Sequence, residues 1–219
     1  MKHLKTISFL AFLLASGVTY GQFSWGIPFG LNFSNTAMKG NYEPENAYKT
    51  KMGLNIGIYG EYGVSEKLSF QLALALNNKG SKYEANGIKY KMRLSYIEFQ
   101  PTAIYKFNVG KTLLFAQPGV YIAPIATGTL KASEAILGPD GDSKTATIYL
   151  GNDKEKDLMK ASDFGLLIAA GIETEGFGRF GLQYELGLSN LALVTENSSS
   201  IKNRSFSIFW SENIGKKKK

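Results

Sequence analysis

The stretch Phe180-Gly181-Leu182-Gln183-Tyr184-Glu185-Leu186-Gly187-Leu188 sets an apolar side chain at every second position, with glycine, glutamine and glutamate between them. Consecutive side chains of an extended chain point to opposite faces, so this is a strand with one apolar face and one small, polar face. The residues just upstream repeat the pattern. Phe164, Leu166, Ile168, Ala170 and Ile172 alternate with Gly165, Leu167, Ala169, Gly171 and Glu173, and Glu175-Gly176-Phe177-Gly178 joins the two runs. Two alternating runs around a glycine-containing turn predict a β-hairpin. A water-soluble sandwich also alternates, so the fold depends on which way the apolar face points.

The same period recurs along the chain. Phe23, Trp25, Ile27, Phe29, Leu31 and Phe33 share a face, with Pro28 on the other predicting a local break or bulge in the ladder. Met52, Leu54, Ile56, Ile58 and Tyr62 form a second run, and Leu68, Phe70, Leu72, Leu74 and Leu76 a third. In the fourth, Met92, Leu94 and Tyr96 keep one phase and Ile97, Phe99, Ala103, Tyr105 and Phe107 the other, which predicts a bulge near Tyr96. A fifth run covers 114–126, with Val120 and Ile122 opposite Gln117, Gly119 and Tyr121. Phe206, Ile208 and Trp210 against Ser205, Ser207, Phe209 and Ser211 complete about eight strands.

The connections decide the direction of the apolar face. Long polar segments at 35–50, 78–89, 127–162 and 191–203 alternate with short ones at 64–67, 108–111 and 175–178. Strict alternation of tight turns and long loops is the pattern of an up-and-down barrel whose two rims face different compartments. The face opposite the apolar one is small and polar, which suits the inside of a narrow barrel. The reading is therefore all-β: a transmembrane antiparallel up-and-down β-barrel of about eight strands, with short periplasmic turns, long extracellular loops and apolar side chains towards lipid. Phe23, Trp25, Tyr62, Phe107, Phe180 and Trp210 fall near strand ends, as interfacial girdles require. A soluble exported barrel with a hydrophobic ligand inside is the remaining architectural alternative.

Bulk composition agrees. The 219-residue chain is 44% apolar and carries 24 glycines and no cysteine, so disulfides, thiolate chemistry and lipidation at a mature N-terminal cysteine are excluded. Residues 1–21 combine Lys2 and Lys5, an apolar run at 7–18 and small residues before Gln22, which predicts a cleaved export signal, with a retained anchor as the alternative. The expected organisation is this signal, a barrel domain at 22–215 and a basic tail at 216–219. Of the net charge of +7, two units belong to Lys2 and Lys5 and four to the tail, which leaves +1 for the barrel and removes the support for a nucleic-acid partner. No later apolar run is long enough for a spanning helix.

Asp163-Phe164-Gly165 leading to Ala170-Gly171-Ile172-Glu173, then Tyr184-Glu185-Leu186-Gly187-Leu188-Ser189-Asn190, and Tyr96-Ile97-Glu98 shortly before Pro101 resemble the small outer-membrane β-barrel, or porin-family, proteins of Gram-negative bacteria. The likeness spans the mature chain. It implies residence in the outer-membrane bilayer and insertion by the barrel-insertion machinery. Members usually end on an aromatic residue, whereas here Trp210 is followed by 211–215 and the lysine tail.

Candidates for chemistry are few. The single histidine, His3, lies in the export segment, and a hydroxyl without a base is a poor nucleophile, so no catalytic residue and no cofactor are expected. Glu61, Glu98, Glu173 and Glu185 fall on predicted inward faces, Lys106 shares the phase of Glu98, and the phase of Arg93 is open. Ionisable groups at membrane depth suggest an ion path or gate. Since about eight strands enclose a lumen that side chains just fill, a packed polar plug is the favoured reading. Asp140-Gly141-Asp142 and Asp153, Glu155 and Asp157 could hold calcium, yet they lack the spacing of a full ligand set and are interleaved with lysines, so a solvated loop is favoured and no metal site is assigned. The loop at 127–162 is the first candidate for an extracellular partner.

Overall fold

The computed structural model describes residues 22–40, 49–85, 87–137, 142–174, 176–193 and 199–214. The export segment with His3, Asp140 and Gly141, Glu175 and the lysines at 216–219 lie outside the described residues. Among the described residues nine strands follow in order: β1 Gln22–Lys39, β2 Lys49–Gly63, β3 Leu68–Ala85, β4 Ile88–Val109, β5 Thr112–Ala132, β6 Thr145–Ile148, β7 Asp163–Thr174, β8 Gly178–Gly187 and β9 Ser200–Asn213. All except β6 form one closed antiparallel ring, in the order β1-β2-β3-β4-β5-β7-β8-β9. The ring shuts by β1 pairing with β9, from Gly26 opposite Asn213 to Lys39 opposite Ser200. The short β6 adds to the far end of β5, with Gly128 opposite Ile148.

The apolar residues of the opening hairpin face out. Phe164, Leu166, Ile168, Ile172, Phe180, Leu182 and Tyr184 are exposed, while Leu167, Gln183 and Glu185 are buried in the ring. The other strands agree, with Ile56, Leu72, Phe99, Ile122 and Ile208 forming an outward apolar belt. The aromatics Phe23, Trp25, Tyr62, Phe107, Phe180 and Trp210 all line its edge at the end carrying the short turns. A sealed ring leaves no unpaired strand edge, as an apolar surroundings requires. Inside, glycines make room for large side chains. A Cβ on Gly165 would stand 2.6 Å from Tyr121 Cε1, and one on Gly181 would stand 2.9 Å from Phe209 Cε1.

Three sequence expectations need correction, and one physical cause underlies most of them. No bulge interrupts β4: its pairing with β3 runs unbroken from Leu68–Tyr105 to Ala85–Ile88. The register shift lies against β5, where three steps from Ile122 to Ile125 match two from Phe99 to Ile97, so the extra residue falls in β5 at Ala123-Pro124. Met92, Leu94 and Tyr96 therefore point inward although Ile97, Phe99, Tyr105 and Phe107 point outward on the same unbroken strand. The apolar phase inverts because the surroundings change. Within the belt the outside is apolar and the inside polar; beyond it the outside is water and the inside becomes an ordinary protein core. The interior is consequently not polar throughout.

The second correction concerns 78–89, which is not a loop. Here β3 and β4 continue past the belt to a two-residue turn in which Gly87 adopts φ 77°. Third, β1 runs on to Lys39 and β5 to Ala132, so the loops after them are shorter than the polar composition suggests. Of the break or bulge expected at Pro28, the structure has the break: pairing with β2 is interrupted there without a register shift, since Gly26 opposite Tyr59 and Phe29 opposite Ile56 belong to one frame.

At the loop end the ring is capped. The segment after β5 returns over the opening, where Lys160 N–H donates to Leu191 O (2.9 Å) and Leu191 N–H to Ile201 O (2.9 Å). Met159, Leu191 and Ala192 thereby enter one apolar cluster with Met38, Met92, Leu94, Tyr96, Tyr121 and Ile201.

Candidate functional site

Below this cap the inward polar side chains gather at two levels. The lower level lies near the short turns. Arg179, the first inward residue of β8, sets its guanidinium between two carboxylates: NH2 is 2.6 Å from Glu61 Oε2 and Nε is 2.9 Å from Glu173 Oε2. Lys106 Nζ reaches the same pair, 2.9 Å from Glu173 Oε2 and 3.5 Å from Glu61 Oε1. Ser69 Oγ donates to Glu61 Oε1 at 2.7 Å, and Arg179 NH1 donates to Gln71 Oε1 at 3.4 Å. Two cations face two carboxylates, so this level is neutral with all four ionised. The guanidinium fork on two acids is the geometry in which arginine outperforms lysine.

The middle level is more deeply buried and unequal in charge. Lys79 Nζ lies 2.7 Å from Glu98 Oε1 and 2.8 Å from Glu185 Oε2, with all three side chains essentially inaccessible. Asn77 Nδ2 donates to Glu98 Oε2 (3.2 Å) and Glu185 Oε2 (3.1 Å), and itself meets Asn32 through its amide oxygen. Gln100 Nε2 bridges both acids, at 2.9 Å from Glu98 Oε2 and 3.2 Å from Glu185 Oε1, and Gln183 Nε2 donates to Glu185 Oε1 at 2.8 Å. From above, the Tyr121 ring covers the ammonium at 3.9 Å. Tyr121 OH donates to Asp163 Oδ2 (3.0 Å), which also accepts from Asn203 Nδ2 (2.9 Å). One lysine thus serves two carboxylates, and amide donors supply the remaining contacts. Such a group survives burial only while every oxygen keeps a partner.

Between the levels lies a cavity of about 30 Å³ lined by Asn55, Tyr59, Gln71, Gln100, Gln117 and Gln183. Ala73 and Phe209 also line it, so its walls mix amide and apolar groups, and it has room for water.

A model of the outer membrane protein beta-barrel domain matches residues 15–193 of the sequence. The chain belongs to that family. The short-turn end of this outer-membrane barrel accordingly faces the periplasm, and the capped end faces outside, as short periplasmic turns and larger external segments require. Its belt is in contact with the outer-membrane bilayer. Among solved structures the chain is similar to the attachment invasion locus protein Ail of Yersinia pestis (11% identity, TM-score 0.42, 87% of this chain and 99% of that one). It is also similar to Neisserial surface protein A (12%, 0.43, 87% and 97%) and to OprG of Pseudomonas aeruginosa (12%, 0.41, 86% and 95%). No curated protein matches the sequence.

Within the family barrel, the five predicted interior residues sit in two groups rather than one. Glu61, Glu173 and Lys106 meet around Arg179, while Glu98 and Glu185 meet around Lys79. Arg93 points outward and joins neither. Both central cations escape the sequence reading because each lies at the edge of a run assigned to a connection. Continuing the inward phase of Ala75 and Asn77 by one step reaches Lys79, and extending Gln183-Gly181 back by one step reaches Arg179. In the external segment Asp157 Oδ2 accepts from Asp153 N–H (2.8 Å) and Asp153 Oδ1 from Glu155 N–H (3.0 Å), so these acids shape a turn. Among the described residues no three acidic side chains converge as metal ligands.

Proposed function

We propose that this barrel is a closed, non-enzymatic surface protein: a stable membrane mount that presents its external cap to a partner. The observation carrying this reading is the stack of obstructions along the axis, with the neutral arginine level, the Lys79 level and the apolar cluster around Met159 lying one above another. A lumen of eight strands is just wide enough for side chains to fill. The external segment contributes a second support. Ile136, Tyr149 and Leu158 are exposed there, away from the lipid belt, and offer apolar contacts to a partner. Region 127–162 is therefore the partner-binding part, its strand portion supplying a rigid base and its outer portion the contacts. Folded protein in liposomes should give no swelling in small sugars, and planar bilayers should show no steady conductance. Sustained solute flux through the wild-type barrel would refute the closed reading.

A second reading, a gated pore for small solutes, draws on the water-sized cavity between the two charged levels. It requires the Lys79 level to open. Glu185→Gln should leave the closed barrel closed; a large, stable rise in single-channel conductance would favour the pore.

A further inference from the structure

Beyond the belt, the outward faces of β2 to β5 carry a row of like charges. Lys49 stands directly opposite Lys82, Lys82 opposite Lys91, and Lys91 opposite Lys131. Four lysines thus lie side by side across four neighbouring strands, a span of about 14 Å. Arg93 is exposed on the same face of β4, one outward position nearer the lipid. Like charges at directly opposed positions repel and destabilise a sheet. None of the five forms an ion pair among the described residues. On this part of β3 to β5 the single outward acid is Glu84, which stands opposite Lys89. The strands holding the row are continuous with the barrel and joined by a two-residue turn, so the charges cannot spread apart as they would on a long loop.

Height and direction indicate what relieves the repulsion. Strands rise about 3.3 Å per residue and tilt by about 40°. Arg93, four residues past the last belt residue Ile97, then stands about 10 Å above the hydrocarbon edge, and Lys91 about 15 Å. Simple phospholipid headgroups occupy about 5–8 Å on each side of the bilayer. The row faces sideways over the lipid rather than up into solvent or in towards the lumen, and it overtops a simple headgroup layer. We propose that Lys49, Lys82, Lys91 and Lys131, with Arg93 beneath them, form a binding face for the phosphate groups of a phosphorylated glycolipid in the outer leaflet, whose sugar headgroup carries anionic charge to that height. The site lies outside the lumen and is independent of whether the barrel conducts.

The test uses the full-length folded protein in bilayers mixing phosphatidylcholine, phosphatidylglycerol and a lipopolysaccharide whose inner-core sugars are phosphorylated, with the lipids retained per barrel after detergent extraction counted by native mass spectrometry. The wild type should retain the lipopolysaccharide in preference to phosphatidylglycerol. Lys82→Ala with Lys91→Ala should lower that retention by about fivefold per lysine, the weight of one basic side chain at an anionic surface. Lys154→Ala with Lys156→Ala, an equal change in net charge on the external segment, should leave it unaltered. Both double variants are checked for the heat-dependent gel shift of a folded barrel; if the first fails to insert, each single substitution carries the same test. Equal retention in the two double variants would overturn the proposal, as would equal preference for phosphatidylglycerol. Displacement of bound lipopolysaccharide by soluble inositol hexakisphosphate at equal phosphate concentration would show a general anion site and overturn the lipid assignment.

Discussion

The two charged levels inside the barrel solve the same problem in different ways. Near the periplasm, Arg179 and Lys106 balance Glu61 and Glu173, and the side chains of Lys106 and Glu173 keep 11% and 12% of their exposure. In the middle, Lys79 alone faces Glu98 and Glu185, all three closed off from solvent. Charge equality makes the lower level tolerant: losing one contact leaves others, and water is near. The middle level has no such reserve, so it depends on amide donors and on the Tyr121 ring above it. Removing one partner from a buried charge group costs far more than the net contribution of the intact group.

That contrast can be broken most severely at Lys79. Lys79→Met leaves two buried carboxylates without a cation and should destabilise the barrel by about 3–5 kcal/mol, read as a fall in the urea midpoint of unfolding from vesicles. An unchanged midpoint would mean that water reaches this level freely. Next comes the cover. Gly165→Ala drives a methyl group against both the Leu186 carbonyl of the neighbouring strand and the Tyr121 ring, and a displaced ring uncovers the ammonium and disturbs the Tyr121–Asp163 hydrogen bond, for a loss of about 1–3 kcal/mol. If Tyr121 only fills space, Tyr121→Phe should match the wild type, whereas a role in holding Asp163 predicts a measurable decrease. At the lower level Glu173→Gln should cost about 1 kcal/mol, because Glu61 still pairs with Arg179 and the site is partly wetted. A loss as large as that of Lys79→Met would erase the distinction between the levels. Smallest is Lys156→Ala in the external segment, whose 3.8 Å contact with Asp153 is well exposed and should change stability by less than about 0.5 kcal/mol.

How much was legible in the sequence can be traced through single residues. Glu61, Glu98, Lys106, Glu173 and Glu185 were readable as inward-facing because each lies inside a run with clear alternation, and extended geometry fixes the side of every second residue. Lys79 was not readable, because a lysine amid polar neighbours at 78–89 carries the composition of a loop. Arg179 follows a turn glycine and resembles the end of that turn. Which cation meets which acid was also hidden: Arg179 and Glu61 are 118 positions apart and meet across the lumen through the curvature of the closed ring.

The sequence by itself determined the alternation, the approximate strand number and the outward direction of the apolar residues, since each follows from the two-residue period and the rhythm of connections. Only the closed structure decided where lipid contact stops. Along β4, Ile97, Phe99, Tyr105 and Phe107 point out, and beyond them Met92, Leu94 and Tyr96 point in while Lys91 and Arg93 point out. In the linear pattern this inversion is indistinguishable from a bulge. The ring separates the two, because the pairing of β3 with β4 holds one register throughout while the medium against the outer face changes from lipid to water.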